Sequence, residues 1–475
     1  MAYIAGPDRP QVVLLPDVLD DYVSADNPVR FLDAFVAQLE LGALGFQRAV
    51  PAETGRPGYD PGDLLRLYLY GYLHRIRSSR RLEQETHRNV ELMWLLRRLM
   101  PDFKTIADFR RDHPEALKRV GREFLVLCRR LELFGGELLA IDGSKFRAVN
   151  ARDKSYTPAR LATLQRDIDR TITRYLRELA RQDAAEAGTE GPSAEVLQER
   201  IAALQQRQAG YAALQEELAA RGETVRSLTD PDSRPMMSGG RIEVCYNVQT
   251  AVDATHKLIV AEDVTNAAGD RDQLSPMATA AQELLGGATP VVVADQGYYH
   301  GTEIKTCLEA GLTPLVPRPV TSANEGRGLF IKDDFVYAPD TDTYRCPARQ
   351  TLTYRTTTVE LGRTIKNYRT SACRRCPLKA RCTRNKDGRK LTRWIDEHLL
   401  DAMERRLRRT RALYAQRKAL SEHPFGTMKR GMDQGYFLLK GLRKVRGEFS
   451  LTVLAYNLKR VLNLLGTPRL LAALA

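Results

Sequence analysis

The chain has 475 residues, 43% hydrophobic and 28% charged, which predicts about two to four domains and excludes gross disorder. Its 73 lysine and arginine residues against 59 acidic residues give a net charge of +14, which favours DNA, RNA or an anionic surface as partner. No apolar run approaches the roughly 18–20 residues that span a bilayer, and no secretory signal pattern opens the chain. We therefore expect a cytoplasmic protein that does not enter a membrane.

Residues 1–135 predict a helical N-terminal DNA-binding domain. Leu64, Leu67 and Tyr68 recur at helical spacing, and basic residues alternate with such apolar stripes. Among these basic residues, Arg110 and Arg111 are candidates for contacts with a phosphate backbone. The alternative for any one of them is an ordinary solvated helix face.

A core domain is expected to begin at residue 136. The segment 137–146 is a short apolar run that ends at Asp142 and continues with Gly143 and Ser144, as a buried strand would. We assign 136–157 and 228–318 to the first part of this core. The second of these two segments, 228–318, contains a hairpin over 243–265, a helix over 276–285 and a buried strand over 290–295 that ends at Asp295.

Residues 158–227 interrupt the core and predict a helical hairpin or short coiled coil. Leucine and isoleucine recur every three or four residues from Leu161 to Leu179 and again from Leu197 to Leu218. A glycine-containing break at residues 188–192 separates the two runs. Such a hairpin is also a candidate dimerisation device.

Residues 319–395 predict a basic, cysteine-rich insertion, and residues 396–475 predict helices that complete the core, the last of them amphipathic over 449–465. The four clustered cysteines of the insertion are Cys346, Cys373, Cys376 and Cys382. Four thiolates in a cytosolic protein suit a tetrahedral structural Zn²⁺, with reduced, unliganded thiols as the alternative. The neighbouring Arg374 and Arg375 are then candidates for DNA backbone contacts.

With the insertions removed, the order of elements is typical of a ribonuclease-H-like α/β core carrying acids at two strand ends and on a late helix. These acids are Asp142, Asp295 and Glu422. In-line phosphodiester cleavage uses two divalent ions, and carboxylates are the ligands that Mg²⁺ prefers. Asp270, directly after the hairpin, competes with Asp295 for the second position, and the buried strand before Asp295 favours the latter.

At this point the chain resembles bacterial insertion-sequence DDE transposases of the 1182 family over nearly its whole length. The matching segments are TIADFRR 105–111, AIDGSKF 140–146, LTDPDS 228–233, YNVQTAVD 246–253, ADQGYY 294–299 and EHPFGTMKR 422–430. The resemblance implies that Asp142, Asp295 and Glu422 are the catalytic, metal-binding triad. It also implies DNA contacts near that triad, by Tyr414, Arg417, Lys429 and Arg430. In the wider group three residues separate the signature arginine from the glutamate, whereas here four residues separate Arg417 from Glu422.

The function expected from these observations is metal-dependent cleavage at the ends of an insertion sequence and strand transfer into target DNA. Two Mg²⁺ or Mn²⁺ ions per active site, double-stranded DNA and at least a homodimer on DNA are implied, in the bacterial cytoplasm at the nucleoid. No nucleotide cofactor is expected, because no phosphate-binding glycine-rich loop occurs. The alternatives are a non-catalytic or domesticated protein that binds the element ends, and a metal-dependent nuclease without strand transfer.

Overall fold

A computed structural model describes residues 18–50, 58–151, 154–184, 192–319 and 324–474. The chain is a mixed α/β protein in which about half of the residues are helical. The helices are α1 Pro28–Ala37, α2 Pro61–Leu73, α3 Ser79–Thr86, α4 Val90–Leu95, α5 Phe103–Asp112, α6 Pro114–Arg130, α7 Pro158–Ala184, α8 Ala194–Arg221, α9 Leu274–Leu284, α10 Gly301–Glu309, α11 Lys379–Cys382, α12 Glu397–Arg409, α13 Arg411–Gly426 and α14 Leu442–Ala472. The strands are β1 Leu138–Arg147, β2 Ser155–Tyr156, β3 Arg226–Ser227, β4 Arg234–Ser238, β5 Arg241–Asp253, β6 Ile259–Thr265, β7 Val291–Val293, β8 Thr313–Leu315, β9 Val336–Ala338, β10 Thr343–Arg345, β11 Thr351–Glu360, β12 Arg363–Arg369 and β13 Leu391–Trp394.

The chain forms two compact units. The first comprises Met1–Gly135, Gly143–Ala268 and Ser421–Ala475, and the second comprises Gly136–Asp142 and Gly269–Leu420. The predicted domain boundaries follow the order of the chain and stay a prediction. Among the described residues, no helix is long and apolar enough to cross a membrane.

In the first unit, β5 is the long strand around which its sheet is built. It pairs antiparallel with β4 along its first half and with β6 along its second half. On its other side it meets the end of β1, where the Ala148 amide donates to the Val244 carbonyl over 3.0 Å. Apolar side chains of β5 and β6 are buried, including Val248, Val252 and Val264, so this sheet packs one face into a core.

Helix α14 is the central helix of the first unit. It packs against α6, α2, α1 and β6, and every residue from Gly447 to Leu458 is buried. The helix predicted over 449–465 is present but begins earlier, at Leu442, and its predicted end coincides with a break in helical geometry at Gly466. From Gly447 to Leu458 it is enclosed on all sides rather than amphipathic, whereas Asn463 and Leu464 are exposed. It also continues through a kink at Gly466, where φ is 72°.

Polar residues inside α14 are accommodated because each has a partner. Asn457 donates to the Ile259 carbonyl and accepts from the Ile259 amide, both over 2.9 Å. Gly447 permits the contact with α6, since a Cβ atom there would lie 2.4 Å from the Cα of Pro114. A buried polar group with its hydrogen bonds made is tolerated in a core.

Helices α7 and α8 belong to the first unit and pack against each other. Asp169 of α7 accepts a 2.6 Å hydrogen bond from Gln208 of α8. The predicted break at residues 188–192 lies almost wholly outside the described residues, which resume at Pro192. A coiled coil in the strict sense stays a prediction.

In the second unit, the first half of β1 pairs in parallel with β7, and β7 pairs in parallel with β8. Helices α9 and α10 pack together beside these strands. A separate antiparallel sheet has the order β13-β12-β11-β10-β9. Its small core consists of Phe335, Tyr344, Leu352, Tyr368 and Leu391.

Candidate active site

Two of the predicted acids lie just beyond the segment over which β1 and β7 pair in parallel. Asp295 follows the end of β7, whereas Asp142 lies inside β1, which continues to Arg147 instead of ending at the acid as predicted. Ala140 of β1 is level with Val293 of β7, and two residues further along the chain come Asp142 and Asp295. Neighbouring strands lie about 4.8 Å apart, so this register brings the two carboxylates to the same edge of the sheet. Both side chains are half-buried.

Asp295 is fixed by a tight turn directly after its strand. Its carboxylate accepts a 2.7 Å hydrogen bond from the Gly297 amide. A Cβ atom at position 297 would lie 2.9 Å from Oδ1 of Asp295 and 3.8 Å from Oδ2 of Asp270. Both carboxylates thus border the space that the missing side chain of Gly297 leaves open, and Asp270 stays a competitor for the second metal position.

Helix α13 brings Tyr414 and Arg417 to the two aspartates. The Tyr414 hydroxyl donates to the Ala294 carbonyl over 3.3 Å, and Arg417 Nη1 lies 3.4 Å from Asp142 Oδ2. Burial raises the pKa of Tyr414, Arg417 lowers it, and the charges of Asp295 and Asp142 raise it further. The predicted residues Asp142, Asp295, Tyr414 and Arg417 therefore form one cluster.

A cavity of 510 Å³ lies beside Tyr414 in the same unit. Its lining includes four basic side chains, Arg318, Lys332, Arg408 and Arg411. Two acidic side chains, Asp333 and Glu404, also line it. The space beside Tyr414 is therefore open and mainly basic, as a path for a phosphate backbone requires.

Glu422 and Lys429 belong to the first unit. Glu422 is exposed and follows Tyr414 along α13 by about two helical turns. The helix continues through Pro424 and ends at Gly426, and a π-helical turn over Thr427–Gly431 follows. The role of Glu422 as the third acid stays a prediction.

Lys429 is tied to β1 rather than extended into solvent. Its ammonium donates to the Ser144 hydroxyl over 2.7 Å and to the Lys145 carbonyl over 2.9 Å. It also lies 5.0 Å from the centre of the Phe146 ring. Burial lowers the pKa of Lys429. Ser144 was not singled out by the sequence, although its place two residues after Asp142 was a signal for it.

The other predicted DNA contacts differ in exposure. Arg111, Arg374, Arg375 and Arg430 are exposed, although Arg111 is paired with Asp108 and Asp112. Arg110 is only 5% exposed and donates to the Tyr72 hydroxyl over 3.0 Å. Its charge is directed into the core, so the predicted phosphate contact of Arg110 conflicts with its burial.

The four cysteines of the insertion lie near one another in the second unit, half-buried and unpaired by disulfides. Burial raises the pKa of Cys382, and the charges of Cys373, Cys346 and Cys376 raise it further. Cys346 Sγ accepts a hydrogen bond from the Gln350 amide over 3.3 Å. Within the described ranges, however, no three or more histidine, cysteine, aspartate or glutamate side chains are arranged to hold a metal ion.

Comparison with known proteins gives two family matches. Residues 17–112 match the model described as transposase domain DUF772, and residues 345–462 match the transposase DDE domain. The second match includes Glu422, Lys429 and the four cysteines, whereas Asp142 and Asp295 precede it. No curated protein and no solved structure matches the chain.

The DDE family uses divalent metal and acts on DNA, and neither match distinguishes the 1182 family from its relatives. The two matched segments are consistent with an insertion-sequence DDE transposase.

Proposed function

We propose that this chain cleaves DNA at the ends of its insertion sequence and joins those ends to target DNA. The observation that carries this proposal is that Asp142 and Asp295 lie just beyond the parallel pairing of β1 and β7, with Arg417 3.4 Å from Asp142. Paired carboxylates beside a guanidinium suit both metal binding and the recognition of a phosphodiester. The two family matches support the same function.

The donor set fits divalent ions. Asp142 and Asp295 would hold two Mg²⁺ or Mn²⁺ ions with Glu422 as third ligand, and such ions activate the attacking oxygen and stabilise the leaving oxygen. Arg417 at present supplies the positive charge beside Asp142. With positive charge supplied there by a bound ion, Arg417 would be free to bind the scissile phosphate, while Tyr414 would hold the backbone at Ala294 that precedes Asp295.

A ribonuclease-H-like core is the fold that we propose for this site. The support is the β5–β6 antiparallel hairpin together with β7 and β8, which run parallel to β1. In such a core the first strand carries the first acid and a later parallel strand is followed by the second. Asp142 in β1 and Asp295 after β7 agree with these two positions.

We propose a structural Zn²⁺ for Cys346, Cys373, Cys376 and Cys382. Their mutual electrostatic influence at Cys382 and the amide hydrogen bond to Cys346 support it, since amide donors commonly stabilise metal-bound thiolates. The thiols would have to turn toward a common centre to close the site. Four thiolates leave no position open for water, so the role is structural.

We propose double-stranded DNA as partner, contacted near the site by Arg417, Lys429 and Arg430 and at the insertion by Arg374 and Arg375. A homodimer on DNA follows from the need to hold two ends together. These steps occur at the bacterial nucleoid and use no nucleotide.

The test is cleavage of a labelled duplex carrying the element's terminal repeats, with Mg²⁺ or Mn²⁺. The variants are Asp142→Asn, Asp295→Asn, Glu422→Gln and Asp270→Asn, with the exposed Asp272→Asn as matched control. We expect the first three to lose about a hundredfold or more in cleavage rate, because each removes a metal ligand. DNA binding should survive in all of them.

The outcome also separates the alternatives. Full activity of any one variant removes that acid from the triad, and loss in Asp270→Asn with retention in Asp295→Asn exchanges these two residues. Wild type that binds the ends but never cuts would instead be a DNA-binding protein without catalysis. Cleavage without joined products would leave a nuclease.

A further inference from the structure

The hairpin of β11 and β12 extends beyond the sheet that anchors it. Strand β10 pairs only with Thr351–Thr353 of β11, whereas β12 continues to pair with β11 up to the Glu360 and Arg363 pair. Every residue from Thr353 to Gly362 is exposed. Strand β12 also pairs with β13 from Ile365 to Tyr368, so the hairpin is two-stranded only at its end, from Val359 to Thr364. We call residues 353–369 the β-ribbon.

The tip of the β-ribbon carries a leucine in an unfavourable position. Leu361 and Gly362 form a two-residue turn with φ of 49° and 74°, a geometry in which Asn-Gly is preferred and a leucine is strained. Leu361 is also 98% exposed. Neither backbone conformation nor burial favours leucine here, so its contribution must lie outside the fold.

The excess of basic residues in the β-ribbon favours a negatively charged partner. It contains four basic residues, Arg355, Arg363, Lys366 and Arg369, and one acid, Glu360. Asp342 neutralises Lys366 over 2.9 Å, while Arg355 and Arg363 pair with no acid among the residues described. Three consecutive threonines, 356–358, add hydroxyl donors along the open edge. This surface is complementary to a phosphate backbone.

We propose that the β-ribbon contacts duplex DNA and that Leu361 inserts between base steps. The two-stranded end of the β-ribbon is narrow enough to enter a DNA groove, and exposed apolar side chains such as leucine act as wedges that unstack and kink a duplex. Insertion would bury the otherwise fully exposed side chain while Arg355 and Arg363 bind the flanking phosphates. The inference rests on DNA being the substrate, as proposed above.

The decisive variant is Leu361→Asn, because it removes the wedge while supplying the residue that the turn prefers. Its thermal midpoint should equal or exceed that of wild type. Leu361→Phe should keep the wedge, and Val336→Thr, at a 67% exposed apolar position in the same sheet, is the matched control.

The probe is a terminal-repeat duplex with 2-aminopurine placed at successive positions, whose fluorescence rises when a base unstacks. Wild type, Leu361→Phe and Val336→Thr should raise the fluorescence at one step, and Leu361→Asn should abolish that rise while binding the duplex. An unchanged rise with Leu361→Asn would overturn the proposal. A Thr357→Arg variant that changes from dimer to monomer and also loses the rise would overturn it as well, because the open β11 edge would then be an interface between two copies.

Metal-dependent cutting of the same duplex keeps the two proposals apart. If the wild-type protein cuts the duplex without unstacking any base, the proposed insertion of Leu361 is overturned and the proposed cleavage activity stands. Wild type that unstacks a base but never cuts would support the wedge and overturn the catalytic proposal.

Discussion

Each of the two units contains a carboxylate beside arginine, and the surroundings of the two sites differ. In the first unit Glu448 is fully buried, with Arg77 at 3.7 Å and Arg110 at 3.9 Å, both only 5% exposed. In the second unit Asp142 and Arg417 are 3.4 Å apart and about one fifth exposed. Full burial of the carboxylate and its arginines thus distinguishes a structural charge cluster from a partly exposed one that keeps room for a ligand.

The hydrogen bonds of Glu448 complete the contrast. Its carboxylate also accepts from the amides of Leu438 and Leu439 over 3.0 and 2.8 Å. Arg77 in turn donates to the carbonyls of Tyr436 and Asp433. Both carboxylate oxygens of Glu448 accept hydrogen bonds within the fold, although Nε of Arg110 has no partner within the part of the chain that the structure describes. The cluster therefore holds the segment after the π-helical turn and offers no free carboxylate oxygen to a substrate.

The largest expected effect is on the stability of the first unit. Glu448→Gln should lower its free energy of unfolding by about 3–5 kcal/mol, because two buried arginines lose their counter-charge. Denaturant unfolding measures it. The matched control is Glu115→Gln, since Glu115 is half-exposed and 3.5 Å from the exposed Arg443, a pair worth at most about 1 kcal/mol. Equal small effects in both variants would refute the contrast.

A second prediction concerns the open space at Gly297. Gly297→Ala places a Cβ atom 2.9 Å from the Asp295 carboxylate and should reduce the cleavage rate about tenfold or more by displacing a metal ligand. Gly269→Ala is the control, since a Cβ there meets nothing within 4 Å. Cleavage assays with unfolding curves for both variants test it, and full activity of Gly297→Ala would mean that the position of Asp295 is not critical.

The Arg417 pair should behave in the opposite way to Glu448. Arg417→Gln should change the free energy of unfolding by less than about 1 kcal/mol, because the pair is partly solvated. Cleavage should nevertheless fall while end binding persists. A large loss of stability would place Arg417 among the structural charges instead.

The smallest expected effect is a pH dependence at the end of α13. Burial lowers the pKa of His423, with Arg460 and Lys257 lowering it further. Unfolding then takes up a proton between the lowered pKa and the ordinary value near 6.5, so stability falls as pH drops through that window. His423→Gln should flatten this fall, whereas the exposed His87→Gln should not. Thermal unfolding across the window measures both slopes.

The sequence predicts the parts of the site that depend on local pattern. The apolar runs before Asp142 and Asp295 identify buried strands, and the spacing of Tyr414 and Arg417 identifies a helix. The chemistry requires both acids in one site, and this requirement in turn predicts that the strands before Asp142 and Asp295 lie side by side. These predictions succeed because strand ends and helix faces are readable over a few residues.

The sequence does not reveal which buried polar or charged side chains find partners in distant parts of the chain. Arg110 looks like a surface arginine until its partner Glu448, 338 positions later in the chain, is known to be buried beside it. Ser450 and Asn457 likewise break the apolar pattern of α14 and so suggest a polar face. Each is satisfied by β6 or the residues around it, and no local rule contains that information.

Helix α14 has a consequence for the synthesis of the protein. Helices α1, α2, α5 and α6 pack on a helix that begins more than 300 residues later in the chain, so the first unit cannot bury Phe31 or Val120 fully until that helix has been synthesised. A product that stops before Leu442 would expose this apolar surface and be open to aggregation and proteolysis. Chains that lack α14 are therefore expected to be degraded.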